Sequence, residues 1–285
     1  MKTFMKQLLL LAMIFATISA TGSNVPQKQS KSGITQEYRT AVKALLDATE
    51  YEKTSRGNVV SIYKQLGQED NPYIDDFMNQ LLEKMPDKLV EIYSKYFTLD
   101  EIKQLTEINK TEIQTKIRNL QPLMSQDFID ETKCLAKGEK SPLADIVVEK
   151  DFEEAMREYI EESGADGQLK QILSVIENYY GVKSGSLNTL IDPAPDIMVR
   201  IYSKYLTTNE IKQATSLAKT PCLKKFYEKT PAITQDTLEE TGQIAKDIME
   251  KMLADIYKEH SNDNSTMPTE RPKGWFLEKM RSLNK

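Results

Sequence analysis

The chain has little of the chemistry on which most enzyme sites depend, since its 285 residues include one histidine and two cysteines. The single histidine, His260, excludes zinc sites built from several histidines. It also excludes Ser-His-Asp and Cys-His catalysis unless His260 acts from its polar segment. There is no glycine-rich phosphate loop and no Asp-x-Asp-x-Asp-Gly calcium loop. We therefore expect neither a cofactor nor a metal, and a non-enzymatic role is favoured over an enzymatic one.

Glycine and proline are scarce as well, with 11 of each, and runs of β-branched residues are few. Leu, Ile, Lys, Glu and Gln are abundant instead, and these residues favour helices. We therefore expect an all-α protein. The formal net charge is −5, and the acidic and basic residues are interspersed. Because a nucleic-acid surface would need a basic stripe, nucleic acid is not an expected partner.

The one long apolar run lies at residues 8–18. It follows Lys2 and Lys6 and precedes the small residues Ser19 and Ala20, which is the arrangement of a secretory signal peptide. The run is shorter than the roughly 20 residues that span a bilayer, and an uncleaved N-terminal anchor is the alternative. We predict an exported protein, periplasmic or secreted, that is soluble after the leader is cleaved. Loss of the two lysines changes its formal charge from −5 to −7.

The strongest feature is a stretch that occurs twice, IYSKYFTLDEIKQ at 92–104 and IYSKYLTTNEIKQ at 201–213. With an offset of 109, residues 86–132 and 195–241 are identical at 22 of 47 positions without a gap. Chance would give roughly one match in fifteen, so the pattern indicates an internal duplication of a helical domain.

A looser match aligns residues 44–53 with the segment that begins at residue 158, and it extends each copy towards its N-terminus. Each copy then spans a little over 100 residues, the size of a domain rather than of a short repeat. The predicted division is a signal peptide at 1–20, a polar linker at 21–34, a first helical repeat domain at 35–142, a second at 143–260, and a linker with a C-terminal helix at 261–285.

In both copies the shared letters predict a helix, a cap and a second helix. Thr98 and Glu101, like Thr207 and Glu210, have the Thr-x-x-Glu spacing of a capping box. In that motif the threonine side chain accepts a hydrogen bond from the glutamate amide, and the glutamate side chain accepts one from the threonine amide. Capping accounts for both glutamates, and a catalytic acid/base pair is the alternative interpretation.

Two pairs of prolines recur at matching positions of the copies. Pro86 and Pro195 are predicted to lie in the first turn of a helix, where a missing amide proton does no harm. Pro122 and Pro231 are each predicted to end one helix and begin the next.

The second copy continues with Thr220 and Pro221, predicted as a helix start, and then Cys222 and basic residues. Together with the preceding Tyr and cap, this order resembles DUF2059, a family of exported bacterial domains of unknown function. The resemblance covers both copies and implies an exported, mainly helical domain with no particular activity. The first copy departs from the pattern with Thr111-Glu112 in place of Thr-Pro, so its helix starts without proline or continues unbroken.

The cysteines, Cys134 and Cys222, leave two interpretations open. An oxidising compartment would allow a disulfide between them, and the alternative is two separate buried thiols. Two residues give no spacing pattern that would decide. Cys222 falls in a predicted first helical turn, a position that can lower a thiol pKa, but no partner base is evident.

The C-terminal segment holds the candidate binding residues Trp275, Phe276 and Met280, which have helical spacing on a basic segment. This helix folds back on its own domain, docks on a partner, or makes peripheral contact with a membrane surface. The expected function is that of a binding or interaction module in the cell envelope, whose partner is an envelope protein or ligand. The alternative is a carboxylate-dependent hydrolase of cell-envelope polymers, which export permits and no motif supports.

Overall fold

The computed structural model describes residues 33–57, 73–165 and 193–261, and the regular structure in these ranges is helical. The all-α prediction is confirmed. None of the helices in the described ranges combines the length and apolar character that crossing a membrane requires. Residues 51–57 are helical, and the other helices are α1 (Gln36–Ala48), α2 (Tyr73–Ser94), α3 (Leu99–Asn109), α4 (Glu112–Lys137), α5 (Lys150–Ser163), α6 (Ala194–Ser203), α7 (Thr208–Ala218) and α8 (Pro221–Ser261).

We call the described residues of 33–137 the first half and those of 150–261 the second half. Each half begins with an amphipathic helix that packs on the capped helix of the same half, α1 on α3 and α5 on α7. The chain leaves both helices through a left-handed residue, Glu50 with φ 50° and Gly164 with φ 63°. These two residues are equivalent in the looser alignment of the sequence, so the resemblance of the halves extends to α1 and α5.

The capped helices α3 and α7 both begin at complete capping boxes. The Thr98 hydroxyl accepts from the Glu101 amide at 3.3 Å, and the Thr98 amide donates to the Glu101 carboxylate at 2.8 Å. Thr207 and Glu210 repeat both bonds at the same distances. Each cap satisfies backbone groups that the helix leaves open, and a threonine cap stabilises by about 1 kcal/mol.

Three of the four proline predictions are wrong. Pro195 lies in the first turn of α6 as expected, but Pro86, Pro122 and Pro231 lie inside α2, α4 and α8. An internal proline costs a helix about 3 kcal/mol. These helices continue because apolar side chains are buried on both sides of each proline, and that burial offsets the lost hydrogen bond.

The long helices α4 and α8 pack mainly on the other half of the molecule: α8 lies along α2, and α4 packs on α6 and α7. Through α8, five residues of the second half enter the core of the first half. These are Cys222, Leu223, Ile233, Ile244 and Ile248. From α4, Met124, Ile117 and Leu120 join the core of the second half. Each core is therefore completed by a helix from the other half, which we call the helix exchange. The predicted domain boundaries remain a prediction.

Candidate functional site

The charged and hydroxyl side chains of the repeated stretch gather at two turns between helices. We define the first corner as residues 95–101, between α2 and α3, and the second corner as residues 204–210, between α6 and α7. Both turns close in the same way, because the amides of the first three corner residues donate to carbonyls of the preceding helix. Each corner therefore places a lysine, a tyrosine, a threonine and a glutamate in the same order and geometry.

The capping glutamate of each corner is bound by a lysine from the other half. Lys225 on α8 donates to both carboxylate oxygens of Glu101, at 2.7 and 2.8 Å. Lys116 on α4 donates to Glu210. Each glutamate therefore satisfies a helix end and an ammonium group at once, which joins the cap to the exchanged helix.

The lysine and tyrosine of each corner share an aspartate from the other half. Asp236 on α8 accepts from Lys95 at 2.8 Å and from the Tyr96 hydroxyl at 3.0 Å through one carboxylate oxygen. Asp127 on α4 accepts in the same way from Lys204 and from the Tyr205 hydroxyl. These lysines, aspartates and glutamates of the two corners are thus engaged in holding a long helix in place.

The electrostatics of the corners favour ionised carboxylates. Burial acts to raise the pKa of Glu101, but the bonds from Lys225 and Thr98 outweigh it and hold that pKa below its usual value. At Glu210 the Lys116 bond is the largest effect, followed by the Thr207 amide, and the pKa is again lowered. A general acid needs a raised pKa, so neither glutamate is suited to the acid role in such a pair.

The tyrosines of the repeated stretch are protonated donors or core aromatics. Burial, followed by the charge of Asp236, raises the pKa of Tyr96. Burial and the Asp127 bond raise the pKa of Tyr205. Tyr93 and Tyr202, one turn earlier, lie in the cores, where burial raises the pKa of both. The Tyr96 and Tyr205 hydroxyls therefore anchor the corners to the long helices.

Cys134 and Cys222 are free thiols in the structure, and the disulfide that the sequence left open stays a prediction. Cys222 is buried in the core of the first half, where its sulfur donates to the Glu101 carbonyl at 3.4 Å. Cys134 lies on α4, which packs on the second half. The helix exchange therefore places Cys222 in the core of the first half and the Cys134 helix on the second half. Burial and the nearby charge of Glu101 raise the pKa of Cys222, which opposes the activation considered from its helical position.

The remaining predicted site residues lie at the start of α8 or outside the described residues. Pro221 is the first residue of α8, and the preceding Thr220 donates its hydroxyl to the Leu217 carbonyl at 2.7 Å. The aligned counterpart of Pro221 is Glu112, which begins α4, so the first of the long helices starts without a proline. The predicted leader, and the candidate binding residues Trp275, Phe276 and Met280, are not among the described residues. Within the described ranges, no group of three or more His, Cys, Asp or Glu side chains is placed to hold a metal ion.

Four residues that fix the corners were not assigned a role from the sequence, namely Lys116, Lys225, Asp127 and Asp236. Each lysine precedes its aspartate by 11 residues, which is about three helical turns and places both on one face. Their identity in both halves at that spacing is the signal that could have identified them.

Comparison with known proteins identifies one region. Residues 194–251 match the model of a bacterial family described as "Uncharacterized protein conserved in bacteria (DUF2059)". The match spans α6, α7 and most of α8, and it confirms the family resemblance for this one region. No curated protein and no solved structure matches the chain.

Proposed function

We propose that the protein is an exported binding protein of the bacterial cell envelope. The observation that carries this proposal is the use of the charged groups at the two corners. The lysines, aspartates and capping glutamates there bind one another across the helix exchange. Such a frame holds helical surfaces in fixed positions, which suits a protein that presents a binding surface.

The alternative hydrolase is less well supported. A glycosidase-type mechanism needs one carboxylic acid with a raised pKa beside a second carboxylate. The two glutamates of the repeated stretch have lowered pKa values instead. The signal-peptide pattern supports export, and the family that matches residues 194–251 is bacterial.

The duplication is part of the same proposal. The two halves share the order helix, corner, capped helix and long helix. Their capping boxes have the same bond distances, and their aspartates accept from a lysine and a tyrosine alike. We therefore treat the halves as two non-identical copies of one domain that together form a pseudo-symmetric frame.

The tail supplies a second contact in this proposal. Trp275, Phe276 and Met280 would lie on one face of a short helix, which is marginal in water and needs a surface to lie on. A groove of an envelope partner provides that surface in the binding interpretation. Vesicle binding that depends on residues 263–285 would identify a membrane surface instead.

The experiment compares the mature chain with a version that ends at Asn262, using chemical cross-linking and affinity capture from an envelope fraction. The substituted full-length chain Trp275→Ala/Phe276→Ala/Met280→Ala is the matched control for the tail. We expect one specific envelope component to be captured by the mature chain. Its loss with the truncation and with the triple substitution would place the contact on the tail, and its retention would place the contact on the halves.

Two results would contradict the proposal. One is a mature chain that starts at Met1 and remains in the cytoplasm, measured by mass spectrometry of fractionated cells. The other is the release of soluble fragments from purified envelope polymers by the protein alone, which would support the hydrolase.

A further inference from the structure

We infer that the surface on each half that receives a long helix specifically recognises a long helix of this type. The two halves would then bind each other as two separate chains do, without depending on the peptide link between them. The partner that fits this surface is the long helix of the other half.

The first support is a two-point charge pattern that fixes the register. A long helix presents a lysine and, three turns later, an aspartate, while a corner presents a glutamate and a Lys-Tyr pair. The lysine meets the glutamate and the aspartate meets the Lys-Tyr pair. A shift by one helical turn moves each group by about 5.4 Å, which breaks both contacts.

The second support is the identity of these residues in the two halves. Lys225 and Lys116, Asp236 and Asp127, and the lysine, tyrosine and glutamate of each corner are the same residue types. Lys225 of the second half meets Glu101 of the first half, and the equivalent Lys116 of the first half meets the equivalent Glu210 of the second half. This is the reciprocal arrangement of a two-fold dimer interface, here within one chain.

The third support is a difference between the two corners, one aromatic and one aliphatic, that only the exchanged pairing matches on both sides. Phe97 at the first corner stacks on Phe226 of α8 with ring centroids 5.9 Å apart, and the Lys225 ammonium lies over the Phe97 ring at 5.6 Å. At the equivalent positions of the second half, Ile117 of α4 packs against the core cluster that contains Leu206. Pairing each long helix with its own half would instead place an aromatic residue opposite an aliphatic one at both corners.

The link between the halves is exposed where it leaves α4. Gly138, Glu139 and Lys140 are all exposed, and a Cβ added at Gly138 would meet no atom within 4 Å. The buried part of the link begins further on, at Leu143. A break at residues 139–140 therefore leaves both cores and all four corner contacts in place.

The first test cuts the link in the full mature chain. A protease recognition sequence is inserted between Glu139 and Lys140, and the folded protein is cleaved and compared with the uncleaved sample. We expect one 1:1 complex of the two fragments by native mass spectrometry, the elution volume of the intact chain, and an unchanged helical circular dichroism spectrum. Fragments that separate at micromolar concentration would overturn the inference.

The second test asks which lysine Asp236 meets, using charge reversal in the cleaved protein. Asp236→Lys should weaken the complex roughly tenfold or more, because it faces Lys95 in the exchanged arrangement. Adding Lys95→Asp should restore most of the affinity, whereas adding Lys204→Asp should not. Recovery with Lys204→Asp and not with Lys95→Asp would show that α8 packs on its own half, and the inference would be wrong.

Discussion

The two halves share a corner but complete their cores with helices of different length. In the first half, α2 has 22 residues and lies against α8, which has 41. In the second half, α6 has 10 residues and lies against α4, which has 26. The difference between α4 and α8 begins at one aligned position. Gly138, with φ 69°, comes directly after the end of α4, whereas the aligned Asp247 lies inside α8. A glycine adopts this left-handed conformation without strain, so it allows the chain to leave the helix.

The link after Gly138 replaces the missing turns of α4. It inserts Leu143 into the core of the second half, beside Ile197 and Ile201 of α6, and Ile146 packs against the same cluster. In the first half Ile244 and Ile248 of α8 extend the core along α2. The corner is therefore the constant element of both halves, whereas the segments that complete the core beyond it differ in length and origin.

Truncating a buried side chain of α8, the longer of the two exchanged helices, should have the largest effect on stability. Ile248 is fully buried, so we expect Ile248→Ala to lower the free energy of unfolding by about 2–5 kcal/mol through lost burial and a cavity. Urea unfolding measured by circular dichroism tests this. Hydrogen exchange should localise the loss of protection to α2, although the substituted residue belongs to the second half.

The matched control is Lys251→Ala, at an exposed position of the same helix. It should change the stability by no more than about 0.5 kcal/mol. Loss of protection confined to the second half would contradict the described packing of α8.

Truncating the buried side chain that the link inserts into the core of the second half should have a smaller effect on stability. Leu143 is 2% exposed, and we expect Leu143→Ala to cost about 2–3 kcal/mol. The cost lies near the lower end of the usual range because an irregular segment can relax around the lost side chain. The control is Val147→Ala in the same segment, where the side chain is 93% exposed. Equal effects of the two substitutions on the urea midpoint would show that the link does not contribute to the core.

The contrast between the corners and the segments that complete each core also explains what the sequence could predict. The all-α class, the two capping boxes and the helix start at Pro221 depend on residues within a few positions of one another. Such local patterns are readable, because backbone hydrogen bonds at helix ends are satisfied by neighbours in the sequence.

The helix exchange was not predictable in the same way. Lys116 and Lys225 are identical, and either one satisfies either capping glutamate by charge alone. Nothing local decides between them. The internal prolines were mispredicted for a related reason, since the burial that keeps α4 and α8 helical comes from contacts with the other half. Tertiary packing thus determined what local propensity could not.

The caps themselves should be equivalent in the two halves. Thr98→Ala and Thr207→Ala should each cost about 1 kcal/mol, because each removes one side-chain acceptor of the same geometry. Thr98→Ser and Thr207→Ser keep the hydroxyl and serve as controls that should retain most of the stability. Thermal or urea unfolding measures both pairs. A cost that differs by more than about 1 kcal/mol between the halves would mean that one corner depends on contacts that the other lacks.

The smallest expected effect concerns the pH dependence of stability that Glu101 and Glu210 contribute. Both have a folded-state pKa below the ordinary value of 4.5. A lowered carboxyl pKa contributes stability that is present above the unfolded-state pKa and is lost as the pH falls through the folded-state pKa. We therefore expect stability to decline as the pH drops below about 4.5, with less than about 1 kcal/mol from each half-exposed pair. Urea unfolding at a series of acidic pH values measures this decline.

Glu101→Gln and Glu210→Gln should each flatten that decline, and Glu83→Gln at an exposed position of α2 is the control. Burial opposes the lowered pKa of Glu101, whereas at Glu210 the Lys116 bond is the largest effect. The pKa is lowered at both glutamates, so both substitutions should remove part of the acid dependence. If neither substitution changes the slope of stability against pH, the cross-half lysine bonds are not formed in solution. If Glu101→Gln has the greater effect, the first corner is the stronger of the two, and if Glu210→Gln has the greater effect, the second corner is.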